Sequence, residues 1–284
     1  MGVPLAEDKT VEPTEVLTFL GIEFDTQKME LRLPSEKLVE IKIRLESCMK
    51  LKKVTLRELQ SLIGLLNFAC QVVAPGRAFC RRLIDATCKV NKPHHKIRVS
   101  NAMKEDMRVW ISFLSQYNGV TVMLDSVWTS SEAINLFTDS AGGKNRGFGI
   151  FFQGKWAQAC WPEHWVKNGI LSDITFLELF PIVVAVDIWG PYLRNKKIIF
   201  NSDNQAVVTI INKKSSKSTR VMTLVRSLVL STLTQNIMIK SVFIKGKLNL
   251  IADSLSRCDW QRFRRLCPTA DQRPADIPDH LWKL

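Results

Sequence analysis

The sequence predicts an α/β protein: a mixed five-stranded sheet flanked by helices, preceded by a small helical subdomain. Three observations carry that expectation. From residue 131 onward, strand-like runs alternate with apolar helical runs in the order β-β-β-α-β-α-α-β-α, as in a meander followed by crossover connections. Residues 34–87 show helical spacing broken by Pro and Gly. The 46% apolar content marks a folding chain, and 284 residues suffice for one large core or two modest ones.

Residues 16–33 alternate as two short strands, EVLTFLGIEF and KMELRLP, with a turn at Asp25-Thr26-Gln27. Pro34 and Ser35 open a helix to about Met49, with Leu38, Ile41 and Leu45 at helical spacing. Thr55 and Glu58 form a capping box before a second helix, whose face carries Leu59, Leu62, Ile63 and Leu66. Pro75-Gly76 ends it, and a third helix is expected over Ala78–Thr87. Residues 89–100 read as a connecting loop. Ser100 then caps a helix with Met103, Met107, Trp110, Phe113 and Leu114 inward, up to Asn118-Gly119.

In the second half AINLFTDSA, GFGIFFQ and KWAQACW are three antiparallel strands, the last two joined at Gly154-Lys155. Thr175 and Glu178 suggest a capping box for the helix FLELFPIVVAVDIWGPYL. KKIIFNS is a buried-type strand, followed by the helix NQAVVTIINK and a longer helix over Thr219–Leu233. IMIKSVFIK is the fifth strand, and a last short helix begins near Leu250.

The formal charge of +13 makes a polyanionic partner plausible, nucleic acid being the commonest. The basicity is concentrated: residues 1–41 hold 4 Lys/Arg against 9 Asp/Glu, residues 42–108 hold 15 against 5. A basic block of that size on helical sequence suits a phosphate backbone. The seven cysteines form no C-x-x-C pair and read as reduced thiols, so an intracellular location, cytoplasm or nucleus, is expected. A zinc corner from Cys88, His94 and His95 lacks a second ligand pair. No apolar run reaches membrane-spanning length, and no membrane partner is expected.

Four carboxylates stand at the ends of these elements: Asp139, Glu178, Asp203 and Asp253. Singly, each has an ordinary structural role. Asp139 can open a turn, Glu178 can pair with Thr175, Asp203 can cap the helix after its strand, and Asp253 can sit favourably in a first turn. Together they are harder to explain that way, because all four fall at one end of the expected sheet. Converging acids raise one another's pKa unless cations neutralise them, and hard oxygen ligands suit Mg²⁺. Paired Mg²⁺ ions suit phosphodiester cleavage.

The ordered motifs FTDSAGG, LELFPIVVAV, NSDNQAVVTIIN and IKGKLNLIADSLSR resemble the ribonuclease H domain of retroelement reverse transcriptases, over residues 131–257. Upstream, FLGIEFDTQKMELRLP resembles a primer-grip hairpin at the end of a palm. TLRELQSLIGLLNFACQVVAPGRAFCRRLID resembles the thumb that follows. The Trp161-Pro162 step and DWQRFRRL are most similar to DIRS-type retrotransposons. The resemblance implies a palm end (1–33), a helical thumb (34–90), a connector (91–130), an RNase H-like domain (131–257) and a tail (258–284).

It further implies that Asp139, Glu178, Asp203 and Asp253 hold two Mg²⁺ ions about 4 Å apart, with Mn²⁺ a plausible substitute. The reaction would cut the RNA strand of an RNA–DNA hybrid, recognised through 2′-hydroxyls in the minor groove. Candidates for nucleic-acid contact are Ser140, Gly142, Asn204 and Gln205 near the acids, and the basic Lys213, Lys214, Lys217 and Arg220. Arg77, Arg81 and Arg82 are candidates on the thumb. Two departures stand out. Phe243 occupies the place of a histidine that assists turnover in many such domains, so slow turnover is expected. The chain also has no Asp-Asp pair of the palm type, so DNA synthesis is not expected of it alone; a fingers and palm portion is a possible partner. A non-catalytic nucleic-acid-binding remnant is the rival reading.

Overall fold

The computed structural model describes residues 10–88, 90–116, 121–122, 127–143, 145–244 and 249–283. Asn118-Gly119 and residues 245–248 of the last motif lie outside the described residues. The chain forms two compact units, Met1–Met123 and Leu124–Leu284.

In the first unit β1 (Val16–Phe19), β2 (Ile22–Asp25) and β3 (Glu30–Arg32) form a meander. The first expected strand is itself a hairpin. Leu20 and Gly21 take φ of 50° and 78°, the left-handed pair that a tight two-residue turn needs. β1 therefore folds back antiparallel onto β2, Val16 opposite Asp25, with all four of its residues exposed. Asp25 is buried, accepts from Lys28 N at 2.9 Å and pairs with Arg32 Nη2 at 2.9 Å. Those bonds hold its carboxyl below the usual range.

Helix α1 (Ser35–Lys50) buries Leu38, Ile41, Leu45 and Cys48. β4 (Lys53–Thr55) leads into α2 (Leu56–Ala69), whose capping box is as expected: Thr55 Oγ1 accepts from Glu58 N, and the Glu58 carboxylate accepts from Thr55 N. Pro75-Gly76 opens a 3₁₀ turn over Ala74–Phe79, and α3 covers only Arg81–Thr87. The single helix expected there is therefore two pieces. The expected loop 89–100 holds β5 (Lys96–Arg98), antiparallel to β4; three residues are too few to show a period. Ser100 Oγ accepts from Met103 N at 3.2 Å at the start of α4 (Asn101–Gln116), which buries the five residues expected inward. β6 (Thr121–Val122) pairs with β3.

The second unit is mixed α/β. It contains β7 (Thr129–Ser130), β8 (Leu136–Ser140), β9 (Gly147–Phe152), β10 (Lys155–Cys160) and α5 (Glu163–Lys167). Next come α6 (Ile174–Trp189), β11 (Lys197–Ser202), α7 (Gln205–Lys213), α8 (Thr219–Thr234) and β12 (Met238–Phe243), then α9 (Leu250–Ser256) and α10 (Trp260–Leu266). The strands bond as two three-stranded sheets, β10-β9-β8 and β12-β11-β7, not as one sheet of five. The cause is β7, which runs parallel beside β11. Ser131 N extends that pairing to Ile199 O at 2.8 Å, and a left-handed Asn135 (φ 51°) then redirects the chain into β8. The β9–β10 turn is Gln153-Gly154 (φ 49° and 89°), one residue earlier than expected.

Asp173, not Thr175, caps α6, accepting from Phe176 N at 3.1 Å. Glu178 is thus free of the cap and sits deeper in the helix. α6 is apolar on all sides because it is a core helix. Ile174–Leu193 has the length and apolarity of a membrane span, contrary to the expectation that no run reaches that length, and 67% of its most apolar window is buried in the fold. Residues 258–283 pack against this core through Phe263, Ala270 and Leu281. Phe263 is fully buried, Asp271 N and Ala275 N donate to Gly154 O and Trp156 O, and the Trp282 ring lies 5.4 Å from Phe180.

Candidate active site: four acids near a narrow cleft

Asp139 is the penultimate residue of β8 and lies opposite Gly149 of β9. Helix α9 crosses the sheet at that glycine. A Cβ at position 149 would stand 2.3 Å from Leu255 Cβ and 2.6 Å from Ala252 O, closer than atoms pack, so only glycine admits the helix. Two side-chain bonds then fix α9 to β8. Asn249 Nδ2 donates to Thr138 O at 2.8 Å, and Ser256 Oγ donates to Asp139 Oδ2 at 2.6 Å. This brings Asp253, one turn before Arg257, beside Asp139.

Glu178 projects from α6 toward the same place, and Asp203 follows directly on β11. Burial, with the charges of Asp139 and Asp203 adding to it, pushes Glu178 up to about 8, and the nearby Ser140 hydroxyl opposes the rise. Burial pushes Asp139 up to about 7, against the Ser256 bond, with Asp253 and Asp203 adding to the rise and Arg257 opposing it. Each acid is thus felt by at least one other. Glu178, Asp203, Thr138, Asn201 and Asn249 line a cleft of about 30 Å³, room for a water or an ion.

The fourth acid is already partnered. Asp253 pairs with Arg257 Nε at 2.5 Å and Arg262 Nη1 at 2.9 Å. Among the described residues no three His, Cys, Asp or Glu side chains are arranged to ligate an ion, the zinc corner included. The acids fit Mg²⁺ in donor chemistry, since all four offer hard oxygens, and burial and mutual repulsion raise two of them in pKa. Ligation by Asp253 requires it to turn from its arginines.

No family model and no curated protein matches the sequence. Among solved structures, the chain is similar to the foamy viral protease-reverse transcriptase dRH in complex with ds DNA. The identity is 16% and the TM-score 0.30, over 81% of this chain and 38% of that one. The chain thus spans less than half of that protein's length. A likeness of this size carries no functional argument.

The remaining candidates divide. Ser140 is buried beside Glu178, and Gly142 is exposed in the loop after β8. Asn204 caps α7, accepting from Ala206 N and Val207 N, and Gln205 is exposed at its first position. Lys213, Lys217 and Arg220 are exposed around the α7–α8 connection, and Lys214 takes the left-handed C-cap of α7. In the other unit Arg77 is exposed, Arg81 pairs with Asp85 at 2.7 Å, and Arg82 binds Ala102 O, Glu105 and Asp106. Arg82 is therefore committed to holding α3 on α4. Phe243 ends β12, exposed and in register with Ser202. Sequence reasoning missed Asn249, Ser256, Arg257 and Arg262. The first three stand in NLIADSLSR, at spacings i−4, i+3 and i+4 from Asp253 that place them one helical turn away. Arg262 lies nine residues on, across a turn, and no local spacing reveals it.

Proposed function

We propose that the chain is an endoribonuclease that cleaves the RNA strand of RNA–DNA hybrids, as the ribonuclease H part of a retrotransposon reverse transcriptase. The wording of its motifs favours the DIRS type. The observation that carries the reading is electrostatic. Asp139 and Glu178 are pushed to about 7 and 8 by burial and by neighbouring carboxylates, a costly arrangement unless cations enter. Such perturbed acids at a cleft are the usual mark of a working site. Asp139, Glu178, Asp203 and Asp253 would hold Mg²⁺ or Mn²⁺. When bound, the ions supply the positive charge that makes a water nucleophilic near neutral pH and stabilises the leaving oxygen.

The protein's own side chains do the positioning. Ser256 orients Asp139, and Asn249 ties the start of α9 to β8. Asn249 Oδ1 is buried without a partner beside the cleft. It offers an acceptor to a hydroxyl donor, which an RNA strand has and a DNA strand lacks. Asn204, Gln205, Ser140 and Gly142 flank the acids in sequence and are the candidates for contacts along the minor groove.

The ion pairs of Asp253 with Arg257 and Arg262 favour a second reading, a nucleic-acid-binding chain that does not cut. One assay separates the two. Labelled hybrid is incubated with the chain, with and without Mg²⁺, and again with Asp203→Asn. The enzyme reading expects metal-dependent cutting of the RNA strand that Asp203→Asn abolishes. Salt-sensitive binding without cutting would establish the second reading.

A further inference from the structure

Outside the acid cluster, two thiols meet. Cys160 ends β10 and Cys258 lies between α9 and α10, 98 positions apart, yet their sulfurs stand 3.9 Å apart. The approach is built by the fold. Gln158 and Cys160 share a face of β10, since alternate residues point the same way. Gln158 Nε2 reaches Cys258 Sγ at 3.2 Å and Cys160 Sγ at 4.0 Å. Cys258 holds a left-handed φ of 60° where the chain turns, with its N–H on Leu255 O at 3.0 Å and Asp259 N on Ser254 O at 2.8 Å. Its side chain is therefore aimed at the strand by a fixed turn.

We propose that Cys160 and Cys258 form an oxidisable dithiol, a modification site that a peroxide converts into a disulfide stapling the α9–α10 turn to β10. The sulfurs are already in van der Waals contact at 3.9 Å, and side-chain rotation is the motion that would close them to the bonded distance of about 2.05 Å. Cys160 is exposed and meets the oxidant first; Cys258 is half-buried, and burial beside Cys160 pushes its thiol up. The Cys160 thiolate attacks the peroxide, the O–O bond breaks, and one water leaves after proton transfer, giving a sulfenic acid. The Cys258 sulfur then attacks that sulfur, the S–O bond breaks and a second water leaves. Two thiols are oxidised and one peroxide is reduced to two waters. The other close pair is different: Cys80 is buried, and its contact with Cys70 pushes its thiol far up, which keeps it protonated and inert.

The test uses the full reduced chain and stoichiometric hydrogen peroxide, read by thiol titration, non-reducing peptide mapping and thermal melting. The expected result is a loss of two of the seven free thiols and a cross-linked peptide pair containing residues 160 and 258. Dithiothreitol should reverse it. The melting temperature should rise by several degrees on oxidation, as for a bridge closing a long loop. Cys258→Ser should stop the reaction at a dimedone-reactive Cys160. Cys160→Ser, a change at an exposed position, should leave the thiol count untouched by the same dose. An unchanged thiol count in the wild type, a bridge from Cys160 to another cysteine, or a sulfenic acid accumulating at Cys160 in the wild type would overturn the assignment.

Discussion

Between about pH 4 and pH 8 the folded chain keeps protons that the unfolded chain has released. Asp139 and Glu178 ordinarily titrate near 3.8 and 4.5, and in the fold near 7 and 8. The native state binds more protons in that window, so these two groups make stability fall as pH rises through it. Their contribution is fully favourable below about pH 4 and is lost above about pH 8. Each tenfold gain in proton affinity on folding is worth roughly 1.4 kcal/mol; discounted because the two acids titrate together, the loss is on the order of a few kcal/mol. Glu178→Gln should therefore melt several degrees higher than wild type at pH 8 and about equally at pH 4, while losing hybrid cleavage. Thermal melts across pH check it; equal melting at pH 8 would refute the electrostatic cost. Arg262→Ala should act in the opposite sense on metal. Releasing Asp253 from one guanidinium should lower the Mg²⁺ concentration for half-maximal binding severalfold, measurable by calorimetry, with a stability change of about 1 kcal/mol or less for so exposed a pair. Asp139 and Asp203 are legible in the sequence because each closes an apolar strand, and Glu178 and Asp253 because each stands near the start of an apolar helical run. Their orienting partners are not, because a serine or arginine one helical turn away looks like any solvated helix residue.

At the scale of elements, the site depends on how closely α9 approaches β9. Gly149→Ala sets a methyl against Leu255 Cβ and the Ala252 carbonyl, both on a helix held at either end by bonds to β8. The helix cannot yield without breaking the Asn249 or Ser256 contact. The substitution should cost about 1–3 kcal/mol, as overpacking does, and should reduce cleavage far more than stability, by displacing Asp253. A urea titration beside a single-turnover assay distinguishes the two effects. Long periodic helices such as α1, α2, α4 and α8 are readable from spacing. Short elements are not: β5 and β7 have three and two residues, and exist because a neighbouring strand offers them hydrogen bonds. The α6 cap departs from expectation for a related reason. Asp173 and Thr175 both carry good capping groups, and only the backbone path decides which one the first turn uses.

For the whole molecule, the net charge of +13 sets an expectation that needs no site. Binding to any duplex or hybrid should weaken steeply between about 50 and 200 mM salt, by orders of magnitude if six or more phosphates are neutralised. Anisotropy titrations at several salt concentrations measure the slope; a flat response would rule out nucleic acid as a partner. The α/β class is legible from the alternation of runs, but the division into two three-stranded sheets is not, since it turns on which strand claims the edge of β11. The Ser256–Asp139 bond spans 117 positions and the Asn249–Thr138 bond spans 111. That separation has a consequence in time. A ribosome delivers roughly 5–20 residues per second, so β8 waits several seconds or more before α9 emerges to close over it. Through that interval the glycine groove of β9 lies open and Asp139 lacks its serine. The candidate site is assembled only once that distant segment arrives, whatever the chemistry of any single acid.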